Sequence, residues 1–158
     1  KANKQMQARN TQVMFYQLPE DDNGANSLFL HACLQAAFFY RQKQKVFIYS
    51  QDQEKAHDID EMLWAFDANS FVPHNLKGEG PSYGAPVEIS WQAPTGRRPV
   101  LINLTDTVPD FVGQFSQVID FVPNDETLKQ LARERFKAYR QLGFTLGNQI
   151  LPQVIPIQ

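Results

Sequence analysis

Apolar residues along this chain fall into two kinds of pattern. Short unbroken runs, each bounded by turn residues, occur at Val13–Leu18, Val46–Tyr49, Pro86–Trp91, Pro99–Leu104 and Gln117–Val122. Runs of that length ended by Pro, Gly, Asn or Asp read as strands. Between them the apolar spacing becomes helical. Ser27 caps a helix running to about Arg41, with Leu28, Leu30, Cys33, Leu34, Ala37 and Phe38 inward. Phe29, Ala36, Phe39 and Tyr40 carry its apolar surface round most of the circumference, so this helix is expected to be well buried. Ser50 or Asp52 caps a second helix, with Ala56, Ile59, Met62 and Leu63 inward and Glu54, Lys55, Asp58 and Glu61 in water. Asp110 to Phe115 reads as a short helix with Phe111, Val112 and Phe115 on its apolar side.

The last helix, from about Asn124 to Leu142, has the clearest ends. Asn124, Asp125 or Thr127 can cap it, Asp125 and Glu126 suit its positive end, and Lys137 and Arg140 suit its negative end. Gly143 is a natural residue for the turn that follows. Leu128, Leu131, Ala132, Ala138, Tyr139 and Leu142 have the spacing of a core-facing stripe. Lys129, Arg133, Phe136 and Arg140 follow at steps of four, three and four, which makes them neighbours on a second face. Such a face, cationic with one ring set into it, suits an acidic ligand with an apolar end. Arg135 and Lys137 fall off that stripe and read as solvated or structural.

Strands interleaved with helices imply an α/β fold, a three-layer α/β/α sandwich around a five-stranded, mostly parallel sheet, Rossmann-like but without a P-loop. The first two strands, joined by a helix, are expected to pair in parallel. The link from Gln92 to Arg98 is too short for a crossover helix, so its flanking strands form either an antiparallel hairpin or a non-adjacent pair. Residues 1–11 are read as a flexible N-terminal segment or expression remnant, 12–144 as one domain, and 145–158 as a C-terminal tail. That tail, apolar and broken by Pro152 and Pro156, is either an extended strap or disordered.

Composition narrows the function. At 158 residues, 42% hydrophobic and 20% charged, the chain matches one soluble domain with an ordinary core. Its net charge of −2 gives no global field for nucleic acid or membrane, so electrostatic recognition must be local. Five of the fifteen Lys and Arg lie between Lys129 and Arg140. Cys33 is the single cysteine, which excludes an internal disulfide and suits a reducing compartment. No membrane span or signal peptide is visible, and a cytoplasmic location is expected.

Candidate chemistry is sparse. Asp58, Asp60 and Glu61 lack a His or further carboxylate at ligand spacing, so no metal site is expected and they read as a solvated face. Gly78-Glu79-Gly80 fails as a phosphate loop because Pro81 follows instead of Lys-Ser/Thr, and a turn is expected. His31, His57 and His74 are far apart, and no hydrolase, zinc or dinucleotide motif appears. Neither catalytic residues nor a cofactor are therefore expected. Leu63 to Pro81 combines loop residues with Trp64, Phe66, Phe71 and Val72. Residue type leaves two readings open there, an exposed protein contact or a loop folded back as a plug.

The blocks Leu63-Trp64-Ala65, Ser70-Phe71-Val72-Pro73-His74-Asn75-Leu76, Gly78-Glu79-Gly80-Pro81 and Ala85-Pro86-Val87-Glu88-Ile89 resemble the chi subunit family of bacterial DNA polymerase III. So do Asp120-Phe121-Val122-Pro123, Leu128 to Arg135 and Lys137-Ala138-Tyr139-Arg140. The resemblance covers roughly Gln12 to Phe144. It implies a non-catalytic, clamp-loader-associated accessory subunit of the replisome. Implied partners are the psi subunit and the acidic, Phe-ended tail of the single-stranded-DNA-binding protein, with a DNA-repair helicase as a further partner at the psi surface. The implied tail-binding residues are Val122, Lys129, Arg133 and Phe136, to which the helix spacing adds Arg140. Phe136 departs from the Tyr of the family, keeping the ring but losing a phenol hydrogen bond. The implied psi contact falls on Trp64 and Phe71, and Val72 and Pro73 extend it. Two other readings stand beside this one: a small nucleotide-binding α/β enzyme, and weak direct binding of single-stranded DNA by the basic helix face.

Overall fold

The computed structural model describes residues 11–19, 25–65, 72–79 and 85–151. In chain order its elements are β1 (Gln12–Gln17), α1 (Ala25–Arg41), β2 (Val46–Tyr49), α2 (Gln53–Ala65), β3 (His74–Leu76), β4 (Val87–Ser90) and β5 (Val100–Asn103). A single 3-10 turn (Val112–Gln114), β6 (Gln117–Val122), α3 (Glu126–Gln141) and β7 (Thr145–Ile150) complete it. The strands form one sheet in the order β3-β4-β2-β5-β6-β1-β7, and every pairing in it is parallel.

The layered α/β architecture agrees with the sequence pattern, but among the described residues the sheet has seven strands instead of five. β3 is three residues long and carries polar His74 and Asn75, too short and too mixed to register as an apolar run. β7 is an edge strand with Thr145, Asn148, Gln149 and Ile150 exposed, and it lies in the stretch assigned from sequence to the tail. β1 and β2 are parallel but not neighbours, because β5 and β6 enter the sheet between them. β4 and β5 are likewise separated by β2, so the short link between them closes no hairpin.

β2 and β5 occupy the middle of the sheet and are buried nearly throughout, which is why each reads as a continuous apolar run. On one face α1 and α2 pack over Val46, Ile48, Val87, Ile89, Ile102 and Phe121. On the other, α3 and the 3-10 turn cover Val13, Phe15, Phe47, Leu101 and Val118. α1 begins at Ala25, two residues ahead of the expected cap at Ser27. Of the two expected caps of α2, Ser50 and Asp52, it is Asp52 that accepts the Lys55 N–H at 2.9 Å, and that bond, followed by the Lys55 ammonium, holds its carboxyl below the usual range. Lys77–Gly78 form a turn, with Gly78 at φ +90, in the stretch where the sequence implies a turn and no phosphate loop.

α1 ends in a tight turn in which Lys43 donates to Tyr40 O and Gln44 to Phe39 O. Lys43 sits there at φ 62, the left-handed region that normally takes Gly. A side chain in that region costs about 1–2 kcal/mol, partly offset by glycine's greater freedom when unfolded. Lys43→Gly is therefore expected to raise the unfolding free energy by about 1 kcal/mol in urea denaturation. Cys33, fully buried in α1, has its thiol pushed up to about 12 by burial. Because the folded value is the raised one, its contribution is complete below pH 9 and is lost between about 9 and about 12. The Cys33→Ala variant is expected to flatten stability against pH by about 1.4 kcal/mol per pH unit in that window.

Candidate functional site

The site is built on α3, so its placement comes first. Asp125, in extended backbone, caps the helix by accepting the Leu128 N–H at 3.0 Å. Gly143, at φ 84, ends it. Between these ends the residues turned inward are Ala132, Arg135 and Tyr139, with Phe136 half-buried beside them. The expected apolar stripe is thus corrected. Leu128 and Leu142 are exposed, Leu142 at 46%, while a charged residue takes the inner face.

The reason lies on β6. Asp120 is buried on the side of the sheet that faces α3. Arg135 Nε and Nη2 donate to its carboxylate at 3.0–3.2 Å, and Nη2 also donates to Phe121 O. Arg135 Nη1 donates to Asp106 O at 3.2 Å. Tyr139 OH donates to Asp120 Oδ2 at 2.8 Å and accepts from Asn103 Nδ2 at 3.2 Å. Burial, and then the Asp120 charge, push the Tyr139 phenol well above its ordinary 10, so it serves as a neutral donor. Asn103 Oδ1 in turn accepts from Thr105. This network ties α3 to the C-terminal ends of β5 and β6. Sequence reading assigned Asp120 only to a strand. Its signal was there: a lone carboxylate between Ile119 and Phe121 in an otherwise apolar run requires a cation.

With α3 so fixed, Lys129, Ala132, Arg133 and Phe136 face Phe15 and Gln17 of β1, Val122 of β6 and Asn148 of β7 across a groove of about 460 Å³. Its floor is apolar: Phe15 is buried, and the Phe136 ring lies 5.4 Å from the Phe15 ring. Gln17 Nε2 donates to Asn148 Oδ1 at 3.1 Å and joins the two strands at the rim. The only hydrogen bond of Arg133 to a described side chain is to the neutral Gln130 amide, at 2.9 Å. Neither Lys129 nor Arg133 forms an ion pair with a described residue.

Of the five residues singled out on this side, Val122, Lys129, Arg133 and Phe136 therefore share one groove. Arg140 does not line it; eleven residues beyond Lys129, it sits exposed about 16 Å further along the axis. The second predicted surface is divided. Trp64 ends α2 with 60% of its surface exposed and stands edge-on to the His74 ring at 5.0 Å. His74 holds the Val72 carbonyl through Nδ1 at 2.7 Å and faces Asp60 through Nε2 at 3.4 Å. Pro73 is half-buried. Val72 is buried in the core cluster as the chain enters β3, so its side chain is not on the surface beside Trp64. Phe66, Phe71, the segment before Thr11 and the tail beyond Leu151 lie outside the described residues.

Across residues 11–147 the chain matches the family described as DNA polymerase III chi subunit, HolC. It belongs to that family. The chain is similar to the DNA polymerase III subunit chi of Escherichia coli, 48% identical over 138 residues, 85% of this chain and 94% of that protein. It is equally similar, at 48% over 120 residues, to the subunit chi of Haemophilus influenzae, covering 75% and 83%. The Pseudomonas aeruginosa subunit chi is 35% identical over 145 residues, covering 91% and 99%. Membership of the chi family supports an accessory role in DNA replication. Among the described residues, no helix is long and apolar enough to cross a membrane, and no group of three or more His, Cys, Asp or Glu is placed to hold a metal.

Removing one partner of a buried, hydrogen-bonded ion pair leaves the other charge uncompensated, at about 3–5 kcal/mol. Asp120→Ala is expected to lose that much in urea denaturation by orphaning Arg135. Combining Asp120→Leu with Arg135→Met should recover most of it.

Proposed function

We propose that this chain is a non-catalytic accessory subunit of a bacterial DNA polymerase III holoenzyme, working at the replisome in the cytoplasm. In this reading it links the clamp-loader assembly, through psi, to the single-stranded-DNA-binding protein. One observation carries the proposal: two cations, Lys129 and Arg133, free of ion pairs among the described residues, stand one turn apart above the aromatic floor of a single groove. A peptide that is acidic and ends in Phe fits that combination. Its carboxylates take Lys129 and Arg133, and its ring takes the space over Phe15, Ala132 and Phe136. The groove volume of about 460 Å³ falls within the roughly 300–1,000 Å³ common for small-ligand sites.

Magnitudes rank the two parts of the contact. Burying a Phe ring of about 150–250 Å² at about 25 cal/mol/Å² stabilises by about 4–6 kcal/mol before ordering costs. Exposed Arg133 contributes less than the about 1.5–3 kcal/mol of a desolvated charged hydrogen bond. Salt should therefore weaken binding without abolishing it. Trp64, exposed at the end of α2 and braced by His74, supports the psi contact, with Pro73 at its side. A DNA-repair helicase is the second candidate for that face.

The test is a fluorescence titration with a labelled acidic peptide ending in Phe. Binding at low salt, weakened about ten-fold or more by Arg133→Glu and unchanged by Trp64→Ala, is the expected outcome. An absence of binding at low salt, or indifference to Arg133→Glu, overturns the proposal.

A further inference from the structure

The opposite end of the sheet carries a second concentration of positive charge. From Asn23 to Gln51 the chain has no Asp or Glu, and from Ile89 to Thr105 again none. Arg41, Lys43, Lys45, Arg97 and Arg98 all lie in these two stretches. The fold joins them where β2, β4 and β5 begin. Val46 donates to Pro86 O at 2.9 Å and Val100 to Lys45 O at 3.3 Å. Buried Arg98 donates through Nη1 to both Val46 O and Pro86 O, which fastens the link between β4 and β5 against the start of β2 and carries exposed Arg97 to the same edge. Beside them is a hollow of about 360 Å³ lined by Tyr40, Arg41, Lys43, Gln44, Lys45 and Pro86.

We propose that this hollow and the cations round it, Arg41, Lys43, Lys45 and Arg97, seat the phosphate backbone of single-stranded DNA, with the half-buried Tyr40 ring as a platform for a base. All four cations are exposed, and none forms an ion pair with a described residue. The α1 C-terminus explains part of this charge, since a helix end supplies roughly half a negative charge. Four cations against that half leave about +3.5 uncompensated, on a chain whose net charge is −2. Lys43 adds an independent sign, because it occupies the one position of the turn, at φ 62, where Gly would sit without strain. Strain kept at an exposed cation points to what the cation touches. Cations round an aromatic face are the means by which single strands are held without sequence preference. The site is separate from the tail groove: all strands are parallel, the groove lies where β1 and β6 end, and this hollow lies where β2 and β4 start.

Fluorescence anisotropy of a labelled oligothymidylate against the full chain tests this. The expected result is weak binding at low salt, with a log–log salt slope near −3 from four phosphate contacts at about 0.7 each. Lys43→Glu with Lys45→Glu should weaken it about ten-fold and shrink the slope by about 1.4. Lys43→Gly should weaken it several-fold in a protein that is more stable, which excludes misfolding as the cause. Arg133→Glu should leave it unchanged. No binding at low salt, equal loss with Arg133→Glu, or equal competition by polyglutamate or duplex DNA overturns the proposal. Titrating the acidic Phe-ended peptide on the same variants separates the two sites, because failure of either ligand leaves the other result readable.

Discussion

A single buried ion pair sets the geometry on which the candidate site depends. Asp120, in the interior of β6, is tolerable because Arg135 reaches it with three hydrogen bonds, Tyr139 with a fourth and the Phe121 N–H with a fifth. An uncompensated carboxylate there would cost several kcal/mol. The pair therefore acts as a rotational lock on α3. Successive helix residues differ by about 100° around the axis, so a slip of one position would turn Arg133 away from the sheet and carry Phe136 off Phe15. The lock costs the helix its apolar inner stripe: Leu128 and Leu142 are left at the surface, and the small Ala132 allows the close approach.

Where burial was continuous, the sequence was easy to read. β2 and β5 are shielded by helices on both faces and so carry uninterrupted apolar runs. The helix ends at Asp52, Asp125 and Gly143 were legible because each is set by local backbone chemistry. What escaped was whatever depended on a distant partner. β7 is polar because it is an edge, and its strand character comes from pairing with β1. Strand order could not be seen from apolar runs, since spacing says nothing about which strand lies between two others. Lys129, Arg133 and Phe136 share one groove as their helical spacing allows, and Val122, named by the family resemblance alone, joins them there. Arg140, added by helical periodicity, does not line that groove.

The topology also separates the surfaces. Trp64 packs on His74 of β3, at one edge of the sheet, while the groove includes Asn148 of β7, at the other. Six inter-strand steps of about 4.8 Å put those edges about 29 Å apart. Two partners docked as proposed would therefore meet separate edges of the sheet. A sheet with all its strands running one way also gives the molecule two chemically different ends, one carrying Asp120 and its network and the other rich in arginine and lysine.

β7 has a practical consequence for anyone who shortens this protein. Its polar, weakly patterned residues invite a cut after Phe144, and such a cut would spare every cation of the groove. It would nevertheless remove the wall that Asn148 provides and strip the β7-side backbone partners from Gln12 to Gln17, leaving β1 paired with β6 alone. A shortened chain would thus present the unpaired backbone edge of β1, a template for another chain, beside the proposed groove.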